Sequence, residues 1–271
     1  MKYVVSFTTS PCRISKCQPM LDSILNQTRK PDLIILNIPK IFSRTGESYV
    51  VPENISENVV VNIIEDDLGP ATKIVPTVAY LNKLNYDKDS TRIIYLDDDI
   101  KYMEKMIETY EMVISKNDNS VWCASGFDFI NFQINAQINH YFNTTIAEGY
   151  GGVCVKLSIF EEDFDDYIKS NINDVDCRLS DDIILSNYYH KKRVNIKVIN
   201  IINQYSITDV WNNKTKYILD YGNNEDALHN GAGGTSDNNV NRYKKVIGKL
   251  NKNKERFFKI GFYFQGKITY K

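Results

Sequence analysis

The feature that most constrains this chain is an apolar run followed directly by three consecutive carboxylates. Residues 93–96 are Ile, Ile, Tyr and Leu, and Asp97, Asp98 and Asp99 come next. Such a run predicts a strand that is buried on both faces. Neighbouring like charges repel, and a buried carboxylate is costly unless a partner compensates it. A divalent cation is the usual partner of clustered carboxylates, and a solvated acidic turn is the alternative.

Apolar runs alternate with helical patterns around this segment. Strands are predicted near residues 3–7, 33–38, 59–64 and 93–96. Because helices connect them, the strands should be parallel, which predicts an α/β fold with a mostly parallel central sheet flanked by helices. Ligands of such sheets bind beyond the carboxyl ends of the strands. The sequence shows no internal repeat and no domain boundary, so a single domain over residues 1–271 is expected.

Composition and charge argue against some classes of function. The chain has 42% hydrophobic residues and a formal net charge of -1, which provides a core but no overall basic surface for nucleic acid. No window of 18 apolar residues predicts a membrane span, and residues 1–5 enter a strand without the pattern of a signal peptide. The five scattered cysteines are typical of reduced thiols, so a cytoplasmic location is expected.

Small hydroxyl residues and an arginine follow the first predicted strand. Thr8, Thr9 and Ser10 end the strand, and Arg13 lies in the loop beyond it. These groups suit a nucleotide base, ribose or phosphate. An ordinary turn with a surface arginine is the alternative reading of the same residues.

The third predicted strand also ends in acids. Asp66 and Asp67 precede a Gly-Pro turn, and Lys73 stands at the start of the next helix. If the third strand lies near the fourth, Lys73 comes close to the acidic triplet and can neutralise a diphosphate. Alternatively, Lys73 forms an ion pair with Asp66 or Asp67.

Two further stretches of the second half carry candidate chemistry. Three glycines among residues 149–152 allow the backbone to approach a ligand closely, or make a tight entry into the next strand. A helix predicted over residues 178–189 has Ser180 as its candidate N-cap and Asp181 and Asp182 in its first turn. These acids either stabilise the positive end of the helix dipole or supply a general base.

The set of stretches resembles the GT-A-fold glycosyltransferases, in particular their inverting, family-2-like branch. The resemblance rests on Thr8–Ser10 with Arg13, on residues 67–73, on Asp97–Asp99 and on residues 180–185. By this resemblance the triplet matches a DxD motif that holds Mn²⁺ or Mg²⁺ on the diphosphate of a nucleotide-sugar. Asp97 would then face the ribose or the metal, Asp99 would bind the metal, and His229 would reach it from a C-terminal loop.

The resemblance also implies a reaction. The enzyme would move a sugar from a nucleotide-diphosphate sugar to a hydroxyl of a glycan or other acceptor with inversion, and Asp182, beside Asp181, would be the base. Residues 1–100 would bind the donor, including Asp66, Asp67, Lys73, Asp97 and Asp98. Residues 101–271 would form the acceptor half, where Tyr150, Gly151 and Gly152 could shape the pocket.

The sequence departs from the family pattern at two places. Asp181 replaces the usual glutamate, and the basic Gln-x-x-Arg-Trp stretch of processive polymer synthases is absent. A sugar nucleotidyltransferase would share the fold type and the metal-binding acids, but no glycine-rich basic loop follows the first strand. A non-catalytic carbohydrate-binding module, with the acids as surface turns, is the remaining alternative.

Overall fold

The computed structural model of the chain describes residues 1–130, 133–137, 143–199, 238–264 and 267–271. The strands are β1 Lys2–Phe7, β2 Leu33–Pro39, β3 Val60–Ile64, β4 Thr91–Tyr95, β5 Val121–Cys123, β6 Gly126–Ile130, β7 Gln133–Gln137, β8 Asn143–Thr144, β9 Ile146–Ala147, β10 Val153–Lys156, β11 Ile196–Val198, β12 Gly261–Phe264 and β13 Lys267–Tyr270. The helices are α1 Gln18–Leu25, α2 Glu53–Ser56, α3 Val75–Lys83, α4 Met106–Val113, α5 Phe164–Ile172, α6 Val175–Arg178, α7 Asp181–Lys191 and α8 Asn239–Lys252.

An eight-stranded sheet forms the centre, in the order β3-β2-β1-β4-β10-β5-β11-β8. The pairs β2–β3, β1–β2, β1–β4 and β5–β11 are parallel. β10 runs antiparallel to both of its neighbours. The predicted fold class is therefore confirmed, as are the four strands of the first half.

The sheet is covered on both faces, which explains why its strands read as continuous apolar runs. Every residue of β4 is buried. Ile93 belongs to an apolar cluster that includes α3, whereas Ile94 belongs to the cluster on the opposite face, with α1 and α4. A strand packed on both faces has no solvated side, and its sequence therefore shows no polar alternation.

A second, smaller sheet was not predicted. It has the order β13-β12-β6-β7, and β9 also pairs with β6. β5 belongs to the central sheet, whereas β6, which begins only three residues after β5 ends, belongs to the smaller one. Phe127 and Phe129 of β6 pack against Tyr243 of α8, with ring centroids 5.7 and 6.4 Å away. Strands of two to five residues are too short for a clear periodicity, and this concealed the smaller sheet.

The helices also differ in detail from their predictions. The helix predicted over residues 178–189 begins at Asp181, after the separate one-turn helix α6. Ser180 occupies the N-cap position of α7, but its side chain makes no capping bond, and its buried hydroxyl has no partner among the described residues. None of the helices that the structure describes has the length and apolar character needed to span a bilayer.

A buried polar network joins the first two strands to α3. The side-chain amide of Asn37 donates to Ser6 Oγ at 3.1 Å and to Thr77 Oγ1 at 2.8 Å. The Ser6 hydroxyl in turn donates to the backbone carbonyl of Lys73. Because buried polar groups are costly when unpaired, this network fixes the path of the chain at Lys73, where α3 is about to begin.

Candidate functional site

Lys73 lies at the centre of the carboxyl edge of the sheet. It ends a 3₁₀ turn at Gly69–Lys73, and its side chain is only 4% exposed. Its ammonium lies 2.7 Å from Asp97 Oδ1 and 2.9 Å from Asp181 Oδ2. Burial alone would lower the pKa of Lys73, but the charges of Asp181 and Asp97 raise it well above its usual value. Lys73 is therefore a buried cation that links the end of β4 to the start of α7.

The alternative prediction, an ion pair of Lys73 with Asp66 or Asp67, is wrong. Asp67 instead accepts hydrogen bonds from the backbone amide of Gly69 at 2.8 Å and from the hydroxyl of Ser43 at 2.6 Å. Arg178 lies 3.3 Å from the same carboxylate. Asp67 thus holds the turn that carries Lys73, while Asp66 is exposed. Their contacts with a donor stay predictions.

The end of β1 supports the acidic triplet directly. Arg13 Nη1 lies 3.2 Å from both Asp98 Oδ1 and Asp99 Oδ2. The Thr9 hydroxyl donates to Asp98 Oδ2 at 2.6 Å. The Thr8 hydroxyl donates a hydrogen bond to the carbonyl of Asn37 in β2 at 2.8 Å. The structure therefore brings together three of the stretches that the sequence singled out, at 8–13, at 67–73 and at 97–99.

Ser10 lies further out on the same loop. Its hydroxyl is 3.2 Å from the sulfur of Cys12. Among the described residues, Ser10 has no hydrogen bond to the triplet. Its predicted contact with a donor stays a prediction. None of the five cysteines, which all lie among the described residues, is in a disulfide.

Carboxylates outnumber cations at this edge. Burial, Asp97 and Asp98 raise the pKa of Asp99 to about 7, against the opposing charge of Arg13. Burial is also the main reason why the pKa of Asp98 is raised. In the part of the chain that the structure describes, the three carboxylates of the triplet share the two cations Lys73 and Arg13. Such an excess of hard oxygen donors is chemically suited to Mg²⁺ or Mn²⁺.

The predicted metal ligands are only partly placed. Asp97 contacts Lys73, Asp99 contacts Arg13, and His229 lies outside the described residues. Across those residues, no three His, Cys, Asp or Glu side chains converge closely enough to hold a metal ion by themselves. Asp97 and Asp99 fit such an ion by donor type, and further ligands would have to come from elsewhere, such as phosphate oxygens.

Asp182 lies next to the ion pair of Lys73 and Asp181. Its Oδ1 accepts the backbone N–H of Gly149 at 2.9 Å, and the Tyr243 hydroxyl lies 3.4 Å from its Oδ2. Burial and the charge of Asp181 raise the pKa of Asp182 well above its usual value, while Lys73 opposes the shift. The influence of Asp181 was visible from the sequence, but the larger effect of burial was not.

Glu148 is a candidate that the sequence analysis missed. Its Oε2 accepts the hydroxyl of Ser125 at 2.5 Å, and the Tyr150 hydroxyl donates to the same Ser125 oxygen at 3.0 Å. Burial raises the pKa of Glu148, and its charge contributes to the raised pKa of Asp182. In the sequence, Glu148 is a single acid directly before a glycine-rich run. No second acid stands beside it, so it did not stand out as a candidate.

The glycine-rich run forms a 3₁₀ turn over Gly149–Gly151 that passes over the site. A Cβ at Gly149 would stand 2.5 Å from Lys73 Nζ and 3.3 Å from Asp182 Oδ1. Gly151 packs on Ala124, where a Cβ would approach within 3.0 Å. Gly152 has φ +86°, and its carbonyl accepts the Tyr110 hydroxyl at 2.8 Å. We call residues 148–150 the strap, because they cover Lys73 and Asp182.

Comparison with known proteins gives a distant structural likeness. No protein-family model matches the chain, and no curated protein matches it in sequence. Solved structures that match include two crystal structures of S. aureus TarS, one of TarS 1-349, each with TM-score 0.43 and 11% identity over 74% of this chain. This chain covers 58% of the TarS 1-349 chain and 35% of the other, less than two thirds of either. At this distance the likeness does not bear on the reaction, which must be argued from the side chains.

The close approach at Gly149 predicts a position-specific penalty. Gly149→Ala should lower the free energy of unfolding by about 1–3 kcal/mol, because the new methyl group must displace a buried, paired ammonium. Gly248→Ala is the matched control, since Gly248 lies in α8 with no atom within 4 Å of a Cβ. It should stabilise the helix by about 0.5–1 kcal/mol. Chemical denaturation measures both, and equal effects would contradict the geometry of the strap.

Proposed function

We propose that this chain transfers a sugar from a nucleotide-diphosphate sugar to an acceptor hydroxyl, with inversion at the sugar. The observation that carries the proposal is the buried Lys73, which pairs with Asp97 on one side and with Asp181 on the other. This arrangement holds a cation and the acidic triplet near a further carboxylate, that of Asp182. Stabilisation of a leaving diphosphate and deprotonation of a hydroxyl are the two requirements of the reaction.

The donor would bind at the ends of β1, β3 and β4. Lys73 and Arg13 supply the positive charge that a diphosphate requires, and Arg13 is already aligned along Asp98 and Asp99. The residues proposed around the nucleotide are Thr8, Thr9, Ser10, Asp66, Asp67, Asp97 and Asp98. Asp97 and Asp99, with His229 as a further candidate, would hold Mn²⁺ or Mg²⁺, which when bound would supply positive charge to the leaving diphosphate.

Asp182 is the proposed base. The N–H of Gly149 fixes one of its oxygens, whereas the second has, among the described residues, the long contact to Tyr243 at 3.4 Å. Asp181 is engaged by the ammonium of Lys73 and so is the less suitable of the two. A raised pKa makes the Asp182 carboxylate a stronger base than an ordinary aspartate. A single carboxylate suffices for inversion by direct displacement.

The acceptor would lie against the strap. Tyr150 is partly exposed, and Ser125 joins its hydroxyl to the carboxyl group of Glu148. An aromatic ring next to a carboxyl group suits the apolar face and the hydroxyls of a sugar. Gly151 and Gly152 contribute backbone to this side of the site. We therefore add Glu148 to Tyr150 as a proposed acceptor residue.

The proton-transfer role predicts different effects for two neighbouring acids. Asp182→Asn should leave folding and donor binding intact but lower turnover on the order of 10²–10⁴-fold, because no base receives the hydroxyl proton. Asp181→Asn should mainly weaken donor binding and lower stability, because it removes a charged partner of Lys73. In the wild type, turnover should rise with pH through the raised pKa of Asp182, since only the carboxylate accepts a proton. Normal turnover by Asp182→Asn would remove this assignment.

The metal assignment predicts a second, separable effect. A thermal-shift panel of nucleoside diphosphates, with Mn²⁺ or with EDTA, should show stabilisation by one nucleotide that depends on the metal. Asp99→Asn should abolish that dependence, whereas Asp165→Asn, an exposed acid of α5, should preserve it. Equal metal-dependent shifts in both variants would contradict a role for Asp99 as a ligand.

A further inference from the structure

The charge of the chain is unevenly distributed. Residues 238–271 contain ten Lys and Arg but only one acid, Glu255, so this segment carries a formal +9 in a chain of net charge -1. The proposed sugar transfer uses only the first turns of α8, through Tyr243. The positive charge of the segment therefore has no role in the site described above.

Most of this charge lies on the surface. Seven lysines of the segment are exposed: Lys244, Lys245, Lys252, Lys254, Lys259, Lys267 and Lys271. Helix α8 turns its apolar residues, including Val246, Ile247 and Leu250, into the core. Lys249 differs from the seven, because it pairs with Asp174 at 2.5 Å and Asp176 at 2.9 Å. The fold therefore presents these seven lysines to the solvent.

Two adjacent phenylalanines follow α8 and have opposite environments. Phe258 is 2% exposed, whereas Phe257 is 44% exposed. The backbone around them is fixed, because Asn187 donates to the carbonyl of Glu255 at 2.8 Å and accepts the N–H of Phe257 at 2.7 Å. The exposure of Phe257 is thus built into the fold.

Several exposed lysines lie close to Phe257 along the chain or through the backbone. Lys254 and Lys259 flank it in sequence. Lys271 is brought to the same loop by two backbone hydrogen bonds with Ile260, at 2.8 and 3.0 Å. Arg256 reinforces this contact through the carbonyls of Phe258 and Lys271, at 2.9 and 3.2 Å. We call Lys254, Phe257, Lys259 and Lys271 the basic corner.

We propose that the basic corner docks the protein onto the surface of an anionic lipid bilayer. Clustered ammonium groups are attracted to anionic headgroups, and an exposed phenylalanine partitions into the interface between headgroups and acyl chains. Ile268 and Tyr270 of β13 are also exposed, by 43% and 48%, and extend the apolar character of this region. The docking is peripheral and does not depend on the proposed sugar transfer.

The same charge would attract nucleic acid, but the side chains favour lipid. The exposed cations of the segment are all lysines, whereas bidentate phosphate recognition and stacking on bases are properties of arginine. The exposed rings of Phe257 and Tyr270 could accept a base, but the exposed aliphatic side chain of Ile268 cannot, and it suits hydrocarbon instead. An aliphatic and a phenyl side chain beside lysines match an interface that has charge outside and hydrocarbon inside.

Vesicle sedimentation tests the proposal without knowledge of the donor. The full chain should bind vesicles of phosphatidylglycerol and phosphatidylcholine but not vesicles of phosphatidylcholine alone, and salt should weaken the binding. Replacing Lys254, Lys259 and Lys271 by Glu should weaken binding on the order of 100-fold or more. The matched control replaces the exposed Lys83, Lys88 and Lys116 by Glu, which gives the same net charge and should leave most of the binding.

A second pair of variants tests the apolar contribution. Phe257→Ala should weaken binding to the mixed vesicles about tenfold. Met112→Ala is the matched control, because Met112 is 74% exposed but lies outside the basic corner, and it should leave binding unchanged. Circular dichroism melting confirms that each variant is folded. Equal losses in the two lysine triples, no effect of Phe257→Ala, or tighter binding to a DNA duplex than to the vesicles would each overturn the proposal.

Discussion

The site depends on one buried ion pair network, in which the ammonium of Lys73 lies between Asp97 and Asp181. An unpaired ammonium at this depth would lose its proton or disrupt the fold, because desolvation of a charge is expensive. The two carboxylates come from opposite halves of the chain, one at the end of β4 and the other at the start of α7. Lys73 therefore couples the proposed donor side to the proposed base, and the strap closes over it only because Gly149 has no side chain.

The central sheet makes this convergence possible. Parallel pairing of β1, β2, β3 and β4 brings their carboxyl ends to one edge, so loops that are distant in sequence meet there. The buried network around Asn37 then fixes the backbone of Lys73 before α3 begins. Sheet topology thus determines which loops meet, and hydrogen bonds from the sheet to α3 and to the Lys73 carbonyl fix the backbone that carries the ammonium.

Features that arise from local interactions could be predicted from the sequence, whereas features that arise from contacts between distant segments could not. The strands of the first half could be predicted because burial on both faces leaves unbroken apolar runs, and Asp97–Asp99 stood out because three adjacent acids are unusual after such a run. The approach of Lys73 to the triplet could be predicted and is seen in its contact with Asp97, but its second partner could not, since nothing local distinguishes Asp67 from Asp181. Glu148 was hidden for the same reason, because its contacts arise only when distant segments pack together, and the smaller sheet was hidden because its strands are too short for a clear periodicity.

The most direct test of this account is a double-mutant cycle on Lys73 and Asp181, measured as free energies of unfolding in denaturant. Lys73→Met leaves two carboxylates without their cation, and Asp181→Asn removes part of the reason for a buried ammonium. The account predicts that the double variant is more stable than the sum of the single losses implies, with a coupling of about 1–3 kcal/mol. Additivity within about 0.5 kcal/mol would show that the two side chains do not interact and would contradict it.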